Sequence, residues 1–600
     1  MNIEILKGQD AERVIGRADF RKEWRNLYGK CPWGTVFQSE EFVTAWYCAY
    51  RNQFAPVIVV GTDNDGELAG LFTLAISIDS EILEIAGTIH AEYRVWLANP
   101  QNGNTFIESA LLKLSEQFPN QSLTLSSFAS LTPLEWTKPG ATWSSQCYMK
   151  LNPCGIMAIG DGSAFRERLR KKNEKYQLNR LRRMGDLRFD QIEDPEELEA
   201  IFDEIIAYAN LRLRAVHNAT DLDPDPHKKS FYKNMMRVPG LLHATIMRLD
   251  GQIVSAQINL YNRDQVFLGL ITHSPFYAKA SPGALHMLML GAEMAKQGIP
   301  ELDLTLGGDY KERYATHHDE VYVIRVFFNR VHCLQYKLKR KLADGAKAAF
   351  RLFDITPEQV KGIFAGFADW KGRWSGLNIS DLLWEPFRRL KESLWRNEKL
   401  HVYSCDLDHV REAPLNQAVR RDHIPDLLAY QPGEACQPPV NRFLKQALKS
   451  LESGNHVYTC MEDGQLMHYG WLIECQSQPF LTEIQQAFPL SPDSVMLRDF
   501  YTHPQAQGDG LCRSMLSRML YDAAQMPGAK QAYVCVPADN HRLRQAVQEE
   551  GLAHSYTLIR RNVLGRMTQW SDATKTVARL SPTCKLLIEP EFLELLVGAL

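Results

Sequence analysis

The sequence has no long apolar run, no closely spaced cysteine pair and no excess of charge, and each lack removes a class of protein. No uninterrupted apolar stretch approaches the roughly 18 residues needed to cross a bilayer. The start, Met1-Asn2-Ile3-Glu4 running into Gly8-Gln9-Asp10, lacks the basic beginning, apolar middle and small-residue cleavage site of a signal peptide. A cytoplasmic, soluble protein is therefore expected. The 12 cysteines are scattered from Cys31 to Cys584 without a Cys-x-x-Cys pair or a histidine partner set, so reduced thiols and no metal site are expected. With 68 Lys+Arg against 71 Asp+Glu, nothing pulls the whole chain toward DNA, and any attraction to an anion must be local. Neither the Gly-Lys-Ser/Thr ending of a P-loop nor the three-glycine dinucleotide fingerprint occurs, which disfavours a nucleoside triphosphate or NAD site.

What is present is ordinary globular composition over 600 residues, enough for about four units of ~150 residues. The pattern divides as 1–160, 161–330, a helical connector over 331–395, and 396–600. The first part carries a strand-turn-strand at Pro56–Gly61 and Leu68–Ala75 around Asp63-Asn64-Asp65-Gly66, then a helix from Thr105 to Glu116 and a strand over Ser122–Phe128. The second opens on a basic helical stretch from Arg166 to Arg183, followed by an acidic stretch from Asp190 to Glu204. After it come strands at 243–249, 253–260 and 265–271, a loop to Gly283, an apolar helix to about Lys296, and a strand over Glu301–Leu306. In the connector, Leu334, Leu338, Leu342, Ala346, Ala349 and Phe353 approximate one stripe amid Lys and Arg. Such a helix either lies on a membrane surface or anionic polymer, or packs on its neighbours.

From residue 396 the same order returns: strands at 401–405, 456–460, 466–473 and 495–501, with helices expected between 415 and 451. A loop, a helix from Leu511 to Ala524, a strand over Ala532–Val536 and a helix from His541 to Glu550 follow. A repeat this long implies a duplicated fold. Both copies put a glycine-containing loop between a strand and a helix start, where unpaired backbone N–H groups and the helix dipole suit a pyrophosphate. The loops are Ser281-Pro282-Gly283 and His503-Pro504-Gln505-Ala506-Gln507-Gly508-Asp509-Gly510-Leu511-Cys512.

On Gln507-Gly508-Asp509-Gly510-Leu511-Cys512 the third α+β unit resembles GNAT-superfamily acyltransferases, whose Gln/Arg-x-x-Gly-x-Gly/Ala loop wraps the pyrophosphate of acetyl-CoA. Cys512 replaces the usual final glycine or alanine, Asn540 and Gly551-Leu552 stand at family spacing, and the family's acid tyrosine would fall at Val547. Residues 1–330 resemble CelD/BcsL-type acetyltransferases of cellulose and exopolysaccharide biosynthesis, tandem GNAT folds related to Fem-type transferases. That resemblance rests on Phe37-Gln38-Ser39, Ala45-Trp46, Phe165-Arg166-Glu167-Arg168-Leu169, Ser281-Pro282-Gly283 and Asp303-Leu304-Thr305-Leu306-Gly307-Gly308-Asp309-Tyr310-Lys311. It implies α/β mixed-sheet GNAT folds and an acyl-CoA, acetyl-CoA first, as acyl donor.

Acyl transfer needs a held thioester, a base for the acceptor proton and donors for the oxyanion. The candidate bases are His273, which ordinarily titrates near neutrality, Asp303, Asp309 and, in the last unit, Asp499. Candidate cofactor contacts are Ser281, Gly283, Gln507, Gly508, Asp509, Gly510, Leu511, Cys512 and Asn540. Arg166, Arg170, Tyr310 and Lys311 are candidates for binding an anionic acceptor, the alternative for the basic helix being simple pairing with the acidic stretch. The expected activity is N- or O-acylation of a saccharide precursor or other exopolysaccharide-pathway acceptor, at a synthase complex of the inner membrane. Two alternatives stay open: a Fem-like transferase using aminoacyl-tRNA, and a non-catalytic coenzyme A-binding scaffold.

Overall fold

The computed structural model describes residues 1–352 and 395–571, apart from 129, 218–224, 263–264, 411–417, 434–436, 475–479, 482–485, 488–492, 507–509 and 564–565. The chain forms two units, Met1–Arg212 with Asp221–Asp344, and Leu213–Thr220 with Gly345–Leu600.

The first unit contains two sheets. Strands β1 (Asn2–Lys7), β2 (Phe54–Thr62), β3 (Leu68–Ser77) and β4 (Leu83–Ile85) follow one another antiparallel, with β5 (Leu97–Ala98) also on β3. Helices α1 (Gln9–Ile15), α2 (Ala18–Lys30), α3 (Glu40–Tyr50) and α4 (Gly103–Gln117) accompany this sheet. Gly61 and Gly70 pair across β2 and β3 and make room for Phe106 of α4; a Cβ on Gly70 would stand 2.3 Å from that ring.

The second sheet has the order β6-β13-β7-β12-β11-β10-β9-β8. Its strands are β6 (Ser122–Phe128), β7 (Cys147–Ala158), β8 (Leu187–Ile192), β9 (Leu242–Leu249), β10 (Gln252–Asn262), β11 (Gln265–His273), β12 (Glu301–Asp303) and β13 (His317–Phe327). Helices α5 (Ser163–Arg170), α6 (Lys172–Met184), α7 (Pro195–His217), α8 (Lys228–Met236), α9 (Pro282–Lys296) and α10 (Arg330–Leu352) complete it. The apolar face of α9 buries Met287, Leu288, Leu290 and Met294 against Val266 and Leu268 of β11 and Leu302 of β12, so the sheet and the loop helix share one core.

In the other unit the sheet runs β15-β16-β17-β20-β21-β14-β22-β23. These are β14 (Trp395–Asp406), β15 (Val419–Arg421), β16 (His456–Glu462), β17 (Gln465–Ile473), β20 (Ser494–Thr502), β21 (Gln531–Pro537), β22 (Ala553–Val563) and β23 (Arg566–Ser571). A separate ladder pairs β18 (Phe480–Leu481) with β19 (Gln486–Ala487). The helices are α11 (Ile424–Leu428), α12 (Val440–Glu452), α13 (Leu511–Ala524) and α14 (His541–Glu549).

The two eight-stranded sheets match position for position, and in each the strand that opens the repeat, β7 or β14, is antiparallel to β12 or β21 at the centre. β6 and β7, on the N-terminal side of residue 160, therefore hydrogen-bond into the sheet built mainly from later residues. Three local expectations need correction. The strand expected over 301–306 ends at Asp303, because Thr305, Gly307 and Gly308 take positive φ. The basic stretch is two helices, broken where Lys171 is extended. The span from 415 to 451 includes the short strand β15 before its two helices. The connector is helical over 330–352, residues 353–394 lie outside the described residues, and β14 begins at Trp395.

Candidate active site

β11 and β12 are parallel partners only over Gln265–Phe267 and Glu301–Asp303. Beyond Phe267, β11 continues to His273 paired with β10 alone, so among the described residues its other edge has no strand partner. The start of α9 lies beside this opening. Ser281 caps it with φ 51°, Pro282 has no N–H, and the Ala284 and Leu285 amides return to the Ser281 carbonyl at 3.0 and 3.2 Å. A Cβ on Gly283 would meet only His273, with Nδ1 at 3.4 Å. A side chain at Gly283 would point at the His273 ring, so glycine keeps the backbone of this turn uncovered beside His273.

His273 stands at that helix start, but it does not titrate near neutrality. Burial, and then the charge of Arg212, push its pKa down to about 3. It is a neutral, weakly basic imidazole.

At the end of β12, Asp303 is fully buried. Its carboxylate accepts from the Tyr93 hydroxyl at 2.7 Å, the Thr305 N–H at 2.7 Å and the Cys154 thiol at 3.4 Å. Burial outweighs these hydrogen bonds and pushes its pKa up to about 6. With no exposed surface, Asp303 cannot touch an acceptor and acts as an anchor for the loop that follows. Thr305, a β-branched residue, holds φ 57°, and Gly307 and Gly308 hold 79° and 84°. A β-branched residue there costs on the order of 1–3 kcal/mol, so the surroundings must enforce it. The enforcing contacts are those of Asp303 and of Lys311, whose Nζ donates to Thr305 Oγ1 at 3.0 Å and to the carbonyls of Leu306 and Thr305 at 3.3 and 3.4 Å. Asp309 and Tyr310 are exposed at the outer turn. Burial lowers the pKa of Lys311, against the pull of Glu92, Cys154 and Asp303.

Glu92 is a residue that sequence reasoning missed. The N-terminal half supplies it through Phe37-Gln38-Ser39. Gln38 Nε2 donates to the Tyr93 carbonyl at 2.9 Å, Phe37 packs edge-on against Phe267 of β11, and Ser39 accepts from Phe42 N–H to cap α3. Tyr93 stacks on Phe128 of β6 with ring centres 4.5 Å apart, and the Ser126 hydroxyl donates to the Glu92 carbonyl at 2.6 Å. Held between these, the Glu92 side chain keeps exposed surface, while crowding by its neighbours pushes its pKa up; Lys311 and then Arg94 oppose that rise. Tyr232 of α8, itself buried, also senses its charge. Glu92 combines access to solvent, a raised pKa and the electrostatic attraction of Lys311 in the loop after β12. No motif or spacing marks it, since its partners lie about 200 residues away in sequence.

Arg166 and Arg170 are exposed on α5, and Arg166 donates to the Asp161 carbonyl at 2.9 Å. Arg180 of α6 donates to the Lys279 carbonyl at 3.4 Å, which sets this basic pair of helices against the loop before α9. The acidic stretch does not neutralise them. Its carboxylates pair elsewhere, Asp190 and Glu197 with Arg248, Glu196 and Glu199 with Lys233, and Asp203 with Lys229.

The other unit repeats the opening: β20 and β21 are parallel over Ser494–Leu497 and Gln531–Val534. Asp499 follows on β20 at a bulge with φ 54°, ion-paired to Arg498 at 3.1 Å. Gly510 caps α13 with φ 72°, followed by Leu511 and the half-buried Cys512, whose thiol burial pushes up to about 11. Gln507, Gly508 and Asp509 lie outside the described residues. Asn540 caps α14, its Oδ1 accepting from Leu543 N–H at 3.0 Å, and Val547 is wholly buried in the core. The position of the family's acid tyrosine is thus a packing position. A Cβ on Gly510 meets nothing within 4 Å, so Gly510→Trp is expected to leave the fold intact apart from about 1–2 kcal/mol of backbone cost and to remove any coenzyme A binding from this unit. Calorimetry on the full chain checks it; unchanged stoichiometry and affinity in the folded variant would exclude the site.

Comparison with known proteins adds a domain match. Residues 165–315 match the model of the Acetyltransferase (GNAT) domain. No curated protein matches the chain. Among solved structures the chain is similar to FemX at 9% identity, covering 50% of this chain and 95% of that one with a TM-score of 0.36. It is also similar to L-PGS from Bacillus licheniformis at 10% identity (54% and 95% covered, TM-score 0.33) and to a GCN5-related N-acetyltransferase from Sphaerobacter thermophilus at 13% (54% and 96%, 0.30). Likenesses at these scores say nothing of activity. The matched span runs from α5 to the loop holding Lys311, so it contains the β11/β12 opening, and on that ground the chain carries a GNAT-type acetyltransferase domain and is an acyltransferase.

Proposed function

We propose that the chain transfers an acyl group from acyl-CoA, acetyl-CoA first, to an amine or hydroxyl acceptor at the β11/β12 opening, with Glu92 as general base. The observation that carries the proposal is Glu92, an exposed residue whose carboxyl is raised in pKa by burial against the attraction of Lys311, the lysine that holds the strained loop after β12. The residues present fit the donor. Among the described residues the edge of β11 beyond Phe267 has no strand partner and suits its extended arm, and the glycine turn at Gly283 with the neighbouring basic helices suits its phosphates. Bound there, acyl-CoA supplies the activated acyl carbon and a thiolate leaving group. Glu92 takes the acceptor proton, and Lys311 keeps the carboxylate from losing its charge altogether in that crowded place.

For the acceptor, we propose a saccharide precursor of an exopolysaccharide such as cellulose, met in the cytoplasm as a nucleotide- or lipid-linked sugar. The support is the CelD/BcsL-like motif set, two parts of which are joined through Tyr93: Gln38 holds Tyr93, Tyr93 holds Asp303, and Asp303 holds the loop. The exposed basic surface of α5 and α6 also favours a second reading, a Fem-like transfer from aminoacyl-tRNA. Thioester consumption by the purified full chain, assayed with acetyl-CoA against nucleotide sugars, amino sugars and lipid-linked sugars, tests the first. Activity only with charged tRNA would replace it with the second.

A further inference from the structure

Helix α10 is amphipathic in an inverted sense. Its polar and aromatic face packs on the fold: the Cys333 thiol donates to the Ser145 carbonyl at 3.4 Å, Lys337 Nζ donates to the same oxygen at 3.1 Å, and Tyr336 packs on Tyr148 and Phe327 with ring centres 5.3 and 5.2 Å apart. The Arg340 guanidinium lies over the Tyr148 ring at 5.9 Å. The opposite face is aliphatic and turned outward: Val331, Leu334, Leu338 and Leu342 are 59%, 69%, 58% and 66% exposed. Steps of three, four and four residues put them in one line. At about 100° per residue, Lys339 and Lys341 project about 80° to either side of that line. Both are exposed, and neither has an ion-pair partner among the described residues. From Arg330 to Ala343 the helix holds five Lys or Arg and no acidic residue.

We infer that α10 docks the protein on an anionic lipid surface. An aliphatic line bracketed by two lysines matches the cross-section of such an interface, because the side chains enter the acyl boundary while the ammonium groups reach the phosphates. A protein groove would satisfy the leucines but gives no reason for lysines on both flanks without acids among them. Among the described residues no helix is long and apolar enough to cross a membrane, so this is surface association. The inference does not depend on the acyl-transfer proposal.

The test is co-sedimentation of the full chain with phosphatidylglycerol vesicles and, separately, phosphatidylcholine vesicles. Binding to the anionic vesicles is expected, weakened by high salt, with little binding to the neutral ones. Leu334→Glu with Leu338→Glu, and separately Lys339→Glu with Lys341→Glu, should each reduce the bound fraction roughly tenfold or more without changing the melting temperature, since all four positions are exposed. Absence of binding to anionic vesicles overturns the inference. A lower melting temperature in the leucine variant without vesicle binding would instead assign the line to another segment of this chain, and loss of self-association would assign it to a second copy; either also overturns it.

Discussion

Glu92→Gln is expected to lower turnover by about 10² to 10⁴-fold while leaving coenzyme A affinity nearly unchanged. Gln keeps the shape and the exposed edge of Glu92, so Tyr93 and the loop after β12 stay in place and only the capacity to take a proton is lost. The pH profile separates this from a structural effect. Burial raises the Glu92 pKa from its ordinary value, and a base works only when deprotonated, so the wild-type rate should climb as pH rises through that raised value and then level off. The Gln variant should lose this limb. A wild-type rate in Glu92→Gln, or a residual rate with the same limb, would remove Glu92 from the chemistry.

Asp303→Asn is expected to change how stability depends on pH. The carboxyl titrates at about 6 in the folded protein instead of 3.8, because burial disfavours its charge more than Tyr93, Thr305 and Cys154 stabilise it. The folded state therefore holds this proton more tightly than the unfolded chain. The resulting stability is present in full below about pH 4 and is lost as pH rises through about 6, a change of about 3 kcal/mol. Asn fits the site: its oxygen accepts from the Thr305 N–H and the Cys154 thiol, and its amide donates to the Tyr93 hydroxyl. Urea midpoints of wild type and variant between pH 4 and pH 7 should diverge, the variant gaining relative to wild type as pH rises. Parallel curves would mean that the carboxyl is not buried in the way described. The arrangement resembles other loops where a costly group is retained because it fixes a functional conformation, here Thr305 in the left-handed region.

The repeat was legible because its signals are local. Turns at Asp250-Gly251 and Asp463-Gly464 separate runs of apolar residues, and each repeat then shows a glycine loop and an apolar helix in the same order. Ser281 and Gly510 stand at the helix starts that the loops suggest, each with a positive φ. What escaped was non-local. β7 and β14 enter the middle of their sheets from the front of each repeat, a pairing that element order does not reveal. β12 reads as a longer strand because Leu304, Thr305 and Leu306 have strand-like side chains; the hydrogen bonds of Asp303 and Lys311 override that preference. His273 was chosen for its ordinary pKa, which burial removes. Glu92 was invisible because the Tyr93–Asp303 bond beside it spans 210 residues of chain.

Gly283→Trp tests most directly the proposed binding of the donor at the start of α9. A Cβ there meets only His273, at ordinary contact distance, so the backbone accepts a side chain and the indole crowds the space beside His273 at the helix start; an unchanged melting temperature shows that the variant is folded. Calorimetric titration of the full chain with acetyl-CoA, wild type against variant, should show one binding equivalent disappear, together with turnover. Unchanged binding and turnover in a folded Gly283→Trp protein would show that the donor does not bind there.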